Sequence, residues 1–268
     1  MRLAGSCTNA SCAVARPPES EPTLYTGTSG FSYATWKGKF YPPALAGARM
    51  LDYYAQKLTG VELNGSFYRT PPESTLLKWA SDTPPGFRFC MKANRGLTYS
   101  AEGFDRVGLA SIFTGRIAVL GERLGPVLLQ FPPARQQNIL LLDSLLSALG
   151  RPAAAEFRHE SWFDEETYRV IREHGGALVV TDEAKWPRAP LVDLGSVAYF
   201  RLRRGYRRNP RRGACLFQTR LGVAGVGAAP APARRKRTGA AMSAISTINS
   251  EAICACRRPR KMPGSVRR

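Results

Sequence analysis

Apolar runs alternate with amphipathic stretches between residues 24 and 204, and most of the apolar runs end in polar residues. Each run has the length of a buried strand, whereas the stretches between them carry apolar residues near helical spacing. Strands that alternate with helices indicate a parallel sheet with right-handed crossovers. Seven such units favour an α/β, TIM-barrel-like (β/α) barrel over an open doubly wound sheet. The predicted strands are Leu24–Thr28, Gly60–Phe67, Phe87–Ala93, Pro126–Phe131, Ala153–Arg158, Ala177–Thr181 and Val197–Leu202.

Three of the intervening segments carry clear helix signals. Ala48–Leu58 has apolar residues near helical spacing, and Gln137–Leu149 is rich in leucine. Ser161–His174 begins with a serine, and Asp164 follows at the spacing of a capping box. Gly175 comes directly after this segment, where a glycine commonly terminates a helix. These helices are expected to cover the outside of the strands.

The strands carry polar residues on one face near their carboxyl ends. Side chains alternate between the two faces of a strand, and in most of these strands the opposite face is bulky and apolar. Functional groups of parallel barrels lie at the carboxyl ends of the strands. The polar face is therefore expected to point into the top of the barrel as one site. Its members include Glu62, Asn64, Lys92, Gln130, Glu156, Arg158 and Asp182.

Several motifs occur in order through the same region. They read GTSGFSY at 27–33, VELN at 61–64, GFRF at 86–89, QFPP at 130–133 and EFRH at 156–159. Together they resemble the YecE-like family, domain-of-unknown-function family 72, over roughly residues 24–204. The resemblance implies a TIM-barrel-like fold. It implies no reaction, because the family name records an unknown function.

The chain departs from that family after Arg204. The family would continue with a helix, an aromatic-rich eighth strand and a closing helix, whereas residues 205–268 are rich in Arg, Ala, Gly and Pro. We predict that a frameshift near Arg204–Arg208 left the eighth unit absent or corrupted. The predicted domains are a disordered leader at 1–23, an incomplete barrel at 24–204 and a basic, low-complexity, disordered tail at 205–268.

The net charge of +19 is concentrated in the tail. Residues 201–268 contain 18 Arg or Lys residues and one acidic residue, whereas residues 1–200 contain 21 basic and 19 acidic residues. Such a tail could bind the phosphate backbone of a nucleic acid without sequence preference. The alternative is a tail with no selected role. Nucleic acid is therefore predicted as a partner of the tail only.

Several other classes of protein are disfavoured. No apolar run approaches the length of a membrane span, and the N-terminus lacks the apolar core of a signal peptide, which together predict a cytoplasmic protein without a membrane partner. The first strand is followed by Gly-Thr-Ser-Gly, so the dinucleotide fingerprint is absent. The cysteines lack zinc-site spacing, and Cys90 lies in an apolar run as a predicted core residue. The cofactor stays unknown.

Glu62, Glu156 and Lys92 are the catalytic candidates. Two carboxylates that flank a glycosidic bond can act as an acid–base pair. Alternatively, Glu156 pairs with Lys92 or Arg158 in a structural ion network, because buried charges need partners. Lys92 could form a Schiff base if burial lowers its pKa. Acidic neighbours are instead expected to raise the pKa of Lys92.

Other residues are candidates for binding a ligand. Arg158 and Arg201 could hold a phosphate or carboxylate, with a salt bridge to an acidic neighbour as the alternative. The aromatic residues would stack on a ligand or plug the barrel mouth. His159 would serve as a general base or a hydrogen-bonding scaffold. The full set is Thr28, Tyr33, Trp36, Asn64, Tyr68, Gln130, Arg158, His159, Trp162, Asp182 and Arg201.

A metal site formed by Glu156, His159 and Asp182 is possible in kind, but these residues lack diagnostic spacing, so no metal is assigned. The constellation predicts an enzyme or a ligand-binding barrel for a small polar or anionic molecule, either a carbohydrate or a phosphorylated compound. A barrel fold does not specify the reaction. The alternatives are nucleic-acid binding through the tail and a damaged, inactive gene product.

Overall fold

The computed structural model describes residues 23–195 and 197–202 and the backbone of 214–219. Almost all of the predicted leader and most of the predicted basic tail lie outside the described residues. The first seven strands match the seven predicted ones, although β2 to β5 end earlier than predicted. The strands are β1 (Thr23–Thr28), β2 (Gly60–Leu63), β3 (Arg88–Met91), β4 (Val127–Gln130), β5 (Ala153–Glu156), β6 (Ala177–Thr181), β7 (Val197–Leu202) and β8 (Ala214–Thr219).

The strands form two sheets. One is six-stranded with the order β1-β8-β7-β6-β5-β4, and the other pairs β2 with β3. The pairs β2–β3, β4–β5, β5–β6 and β6–β7 are parallel. Isolated parallel bridges join Ser29 to Glu62 and Lys92 to Leu128, at the two seams between the sheets. The described part of the chain therefore has a mixed α/β fold with parallel pairing and no closed barrel.

Strand β8 lies where an eighth unit was predicted to be absent or corrupted. It pairs with both β1 and β7, and it is antiparallel to both. An eighth βα unit would instead add a parallel strand after a helical crossover. The backbone at 214–219 therefore fills the position between the first and seventh strands in the opposite direction. The frameshift itself stays a prediction.

Helices follow most of the strands. Helix α6 begins after Asp164, whose carboxylate accepts from the main-chain N–H of Thr167 at 2.9 Å. Ser161, the predicted cap, lies instead in a short turn before this helix. None of the helices in the described ranges is long and apolar enough to cross a membrane. The helices are α1 (Met50–Ala55), α2 (Glu73–Ser81), α3 (Arg95–Tyr99), α4 (Arg106–Ile117), α5 (Ile139–Leu149) and α6 (Glu165–Glu173).

Buried apolar side chains form two clusters on opposite faces of the strands. The larger cluster lies between strands and helices and includes Phe89 and Leu129. The smaller one lies on the other strand face and includes Cys90, Leu128 and Ala154. The neighbours Leu128 and Leu129 belong to different clusters, as period-two alternation predicts. Cys90 is buried in the smaller cluster, which confirms its predicted core role.

Gly27 marks a close approach between β1 and β2. A Cβ atom added at Gly27 would lie 2.1 Å from the carbonyl oxygen of Gly60, a backbone atom that cannot rotate aside. We expect Gly27→Ala to lower the free energy of unfolding by about 2–3 kcal/mol in urea denaturation. Gly47→Ala is the matched control, since no atom lies within 4 Å of its added Cβ. Equal stability of the two variants would contradict this packing.

Candidate functional site

Two buried carboxylates share one buried arginine at the carboxyl ends of the strands. Glu62 on β2 and Glu156 on β5 are 0% and 2% exposed, and Arg201 on β7 is 3% exposed. Arg201 Nη2 donates to Glu62 Oε1 at 2.7 Å, and Nη1 donates to Glu156 Oε2. The guanidinium thus joins strands that lie far apart in the chain. This contact is the salt-bridge alternative that the sequence left open for Arg201.

Glu62 is surrounded by further donors. Ser29 Oγ and Asn64 Nδ2 donate to Glu62 Oε1 at 2.8 and 3.1 Å. Tyr199 OH donates to Glu62 Oε2 at 2.9 Å. Both carboxylate oxygens therefore accept from the protein itself, in addition to the contact with Arg201. Such a network fixes the orientation of the carboxylate and compensates its burial.

Glu156 connects the rest of the cluster. Gln130 Nε2 and Arg158 Nε donate to Glu156 Oε1 at 2.8 and 3.1 Å. Lys92 Nζ donates to Gln130 Oε1 at 2.7 Å. The predicted set of Lys92, Gln130, Glu156, Arg158 and Arg201 therefore comes together at the strand ends. Lys92 reaches Glu156 only through the amide of Gln130, and not by a direct ion pair.

Lys92 has an unusual electrostatic environment for a lysine. Its Nζ lies 4.1 Å from the ring centroid of Phe67. Burial, followed by the positive charge of Arg201, lowers the pKa of Lys92 to about 8, although Glu156 and Glu62 act in the opposite direction. The predicted net direction is therefore wrong: the acidic neighbours do raise the pKa of Lys92, but burial and Arg201 lower it by more. The reason is that the two carboxylates are already paired with Arg201, so burial of Lys92 dominates.

Arg158 lies at the outer edge of the cluster. Its guanidinium carbon is 4.7 Å from the ring centroid of Trp186, and 15% of its side chain is exposed. Its Nε is used by Glu156. In the described ranges its two terminal nitrogens have no hydrogen-bond partner. Arg158 therefore keeps two terminal nitrogens available as donors, while Glu156 and Trp186 hold the rest of its side chain.

The predicted aromatic residues occupy three different environments. Trp162 is fully buried, stacks on Phe157 at 4.3 Å between ring centroids, and donates through Nε1 to a main-chain carbonyl. Trp36 is also buried, and its ring centroid lies 4.7 Å from that of Tyr33. Tyr68 is 75% exposed. Trp162, Trp36 and Tyr33 therefore fit the packing alternative, and Tyr68 alone of the four projects into solvent.

His159 and Glu156, two residues of the metal site considered above, form hydrogen bonds and ion pairs with neighbouring residues. His159 Nδ1 accepts from the main-chain N–H of Ser161 at 3.2 Å, which fits the hydrogen-bonding scaffold alternative. Glu156 is held by Arg158 and Arg201. Across the residues with a described position, no three or more His, Cys, Asp and Glu side chains group closely enough to hold a metal ion.

Thr28 and Asp182 belong to the strand ends around the cluster. Thr28 Oγ1 donates to the carbonyl of Gly30 at 2.7 Å, one residue from the serine that reaches Glu62. The main-chain N–H of Asp182 donates to the carbonyl of Arg201 at 3.4 Å. Both residues therefore support the backbone beside the site.

Three members of the arrangement were not predicted. Tyr199 shares one face of β7 with Arg201, so period-two alternation would have predicted that Tyr199 belongs to the site. Ser29 follows β1 directly, at a strand end where functional groups were expected. Trp186 lies in the loop after β6, and no local pattern places it beside Arg158.

Comparison with known proteins identifies the family. Residues 25–220 match the family described as Protein of unknown function DUF72. The chain belongs to this family. The motif resemblance is thereby confirmed, and the match continues past Arg204 through β8. Membership of DUF72 brings no activity with it, because the description states none.

Two curated relatives carry names that state no activity either. UPF0759 protein YunF of Bacillus subtilis is 31% identical over 188 residues, which are 65% of this chain and 64% of that protein. UPF0759 protein YecE of Escherichia coli is 28% identical over 169 residues, 59% of each chain. This chain thus spans less than two thirds of the length of either relative.

Solved DUF72 structures resemble the present fold. A DUF72 family protein from Thermotoga maritima superimposes with a TM-score of 0.59 at 36% identity, over 67% of this chain and 74% of that one. A DUF72 family protein from Enterococcus faecalis gives 0.56 at 23% identity, over 68% and 73%. The second likeness concerns the fold alone.

Proposed function

We propose that this DUF72 protein binds a small anionic molecule, with a phosphate or carboxylate group, at the carboxyl ends of β3 and β5. Lys92 and Arg158 would contact the anion. The observation that carries the proposal is the charge of the cluster. Three cations, Lys92, Arg158 and Arg201, face two carboxylates, Glu62 and Glu156, so positive charge is in excess while Lys92 is protonated.

Arg158 would provide the main contact. Its side chain is positioned by Glu156 on one side and by the Trp186 ring on the other. A guanidinium with two outward nitrogens can bind a phosphate or carboxylate in a bidentate manner. Lys92 Nζ would add a second donor, because its contact with Gln130 uses one of its N–H groups. Asn64, half-buried beside Glu62, would be a further polar contact.

The two carboxylates would orient the cations and not act as an acid–base pair. Glu62 accepts from Ser29, Asn64, Tyr199 and Arg201. These donors occupy the oxygens that would have to reach a glycosidic bond. The geometry therefore favours binding of the anionic group of a phosphorylated compound over cleavage of a neutral carbohydrate.

The proposal includes a TIM-barrel-like arrangement of the strands. Support comes from the bridge between Ser29 and Glu62 and the bridge between Lys92 and Leu128, which bring the two sheets side by side. In this arrangement the carboxylate cluster would lie inside the strand layer, above the apolar cluster that contains Cys90. Such a position is typical for ligands of barrel proteins.

Titration calorimetry of the full chain would test the anion site. We expect inorganic phosphate and glucose 6-phosphate to bind and glucose not to bind. Arg158→Gln should weaken the binding of phosphate by about 10- to 100-fold, the effect of losing a charged hydrogen bond. Arg172→Gln is the matched control, because Arg172 pairs with Glu165 on an exposed helix face. Equal affinity of wild type and Arg158→Gln would overturn the proposal.

Binding of nucleic acid by the basic tail concerns residues that lie mostly outside the described part of the chain. It stays a separate prediction, tested by the salt dependence of binding before and after deletion of residues 221–268, which leaves β8 in place. Loss of binding on deletion would assign the activity to the tail. Unchanged binding would exclude the tail.

A further inference from the structure

We propose that Lys92 forms an imine with an aldehyde or ketone that carries a phosphate or carboxylate group. The inference rests on the proposed anion site and names the class of molecule that this site would accept. It is motivated by a half-buried amine whose direct partner is neutral, placed in the same hydrogen-bonded chain as Arg158.

The amine of Lys92 is held by a neutral group in a fixed orientation. Gln130 Nε2 donates to Glu156 at 2.8 Å, so the amide oxygen of Gln130 must face Lys92 Nζ, which lies 2.7 Å away. Among the described residues Lys92 forms no salt bridge. A neutral amine that donates one N–H to Gln130 directs its lone pair elsewhere, as a nucleophile requires.

The surroundings of Lys92 increase the fraction of its amine that is neutral. Burial is the main influence and lowers the pKa of Lys92 to about 8; the charges of Arg201 and Arg158 act in the same direction, and those of Glu156 and Glu62 act against it. An exposed lysine has a pKa near 10.5. The unprotonated fraction at neutral pH is therefore larger for Lys92, by roughly ten-fold for each unit of difference. The neutral amine is the form that attacks carbonyl carbons.

Formation of the imine requires no oxidant or reductant. Lys92 Nζ attacks the carbonyl carbon and gives a carbinolamine. The two hydrogens of the amine leave with the former carbonyl oxygen as one water molecule, and a C=N bond forms. Arg158 would hold the anionic group of the same molecule, which places the carbonyl near Nζ and raises its effective concentration.

Reductive trapping tests the imine directly. The full chain is incubated with dihydroxyacetone phosphate or with pyruvate and sodium cyanoborohydride, whose hydride converts the imine into a stable secondary amine. Peptide mass mapping then gives the modified fraction of each lysine. We expect Lys92 to be modified by at least about ten-fold more than the surface residues Lys57, Lys78 and Lys185 in the same digest. Lys92→Arg should abolish the selective product.

The pH dependence gives a second readout. Trapping at Lys92 should rise with pH through about 8, because the amine loses its proton there. Modification of Lys92 no faster than that of the surface lysines would overturn the proposal, whether or not phosphate binds. This comparison uses the wild-type chain and does not depend on a variant that folds.

Trapping of dihydroxyacetone, which carries no charge, distinguishes the imine proposal from the anion-site proposal. If Arg158 holds the anion, Arg158→Gln should slow trapping of dihydroxyacetone phosphate much more than trapping of dihydroxyacetone, which it affects only through the charge beside Lys92. If Lys92 is trapped selectively and Arg158→Gln slows the two reactions equally, the imine proposal is supported and the anion site is contradicted. If phosphate binds through Arg158 and Lys92 is not selectively trapped, the anion site stands and the imine falls.

Discussion

Replacement of Arg201 by methionine should lower the free energy of unfolding by about 3–5 kcal/mol, the cost of leaving buried carboxylates without their cation. Arg201 contacts both Glu62 and Glu156, and all three side chains are almost completely buried. Methionine fills a similar volume, so the loss reports charge and not a cavity. Urea denaturation followed by circular dichroism measures the change.

Two further variants attribute this loss to the ion network. Arg169→Met removes an exposed pair with Glu173, and we expect less than about 1 kcal/mol for it. Adding Glu156→Gln to the Arg201→Met variant should recover part of the stability, because one unpaired charge is removed. If Arg201→Met costs no more than the surface variant, the bridge between the two carboxylates is not a feature of the folded protein.

Trp162→Ala should also cost about 3–5 kcal/mol, through the cavity that it leaves. Trp162 is fully buried between Phe131 and Phe157, with ring centroids 5.0 and 4.3 Å away. Trp162→Phe should keep most of the stability and lose about 1 kcal/mol with the hydrogen bond from Nε1 to the carbonyl of Arg135. Urea denaturation again provides the measurement.

Phosphate binding by Trp variants distinguishes the two predicted roles of the aromatic residues, which are stacking on a ligand and packing within the protein. If Trp162 only packs, Trp162→Phe should bind inorganic phosphate as wild type does. Trp186→Ala should weaken phosphate binding, because Trp186 supports the guanidinium of Arg158. Weaker phosphate binding by Trp162→Phe, with unchanged binding by Trp186→Ala, would reverse these assignments.

Local patterns along the chain were sufficient to place the first seven strands and to group the side chains that share a face of each strand. Ala177–Thr181 and Val197–Leu202 have the predicted bounds, because short runs of mainly apolar residues between polar segments are typical of strands. Period-two alternation likewise put Glu62 and Glu156 on the face opposite Leu63 and Phe157. The structure brings those two carboxylates to one cluster, as that alternation required.

The bounds of strands and helices were less predictable. Gly60–Phe67 was predicted as one strand, but the strand ends at Leu63 and a short turn follows at Gly65–Phe67. The polar residues that follow Leu63 form this turn and contact the carboxylate cluster, and they do not continue the strand pairing. The antiparallel direction of Ala214–Thr219 had no local signal either, because strand direction depends on the connection and on the neighbouring strands.

The sequence alone determined which side chains share a face of a strand, since that depends only on the alternation of side chains along the strand. Tertiary structure decided how they pair. Arg201 lies 139 residues from Glu62 and 45 from Glu156, and its position between them left Lys92 with a neutral amide partner. Which charges compensate each other depends on how close the side chains lie in the folded protein, and not on their spacing along the chain. For that reason the direction of the Lys92 pKa could be obtained only from the folded arrangement.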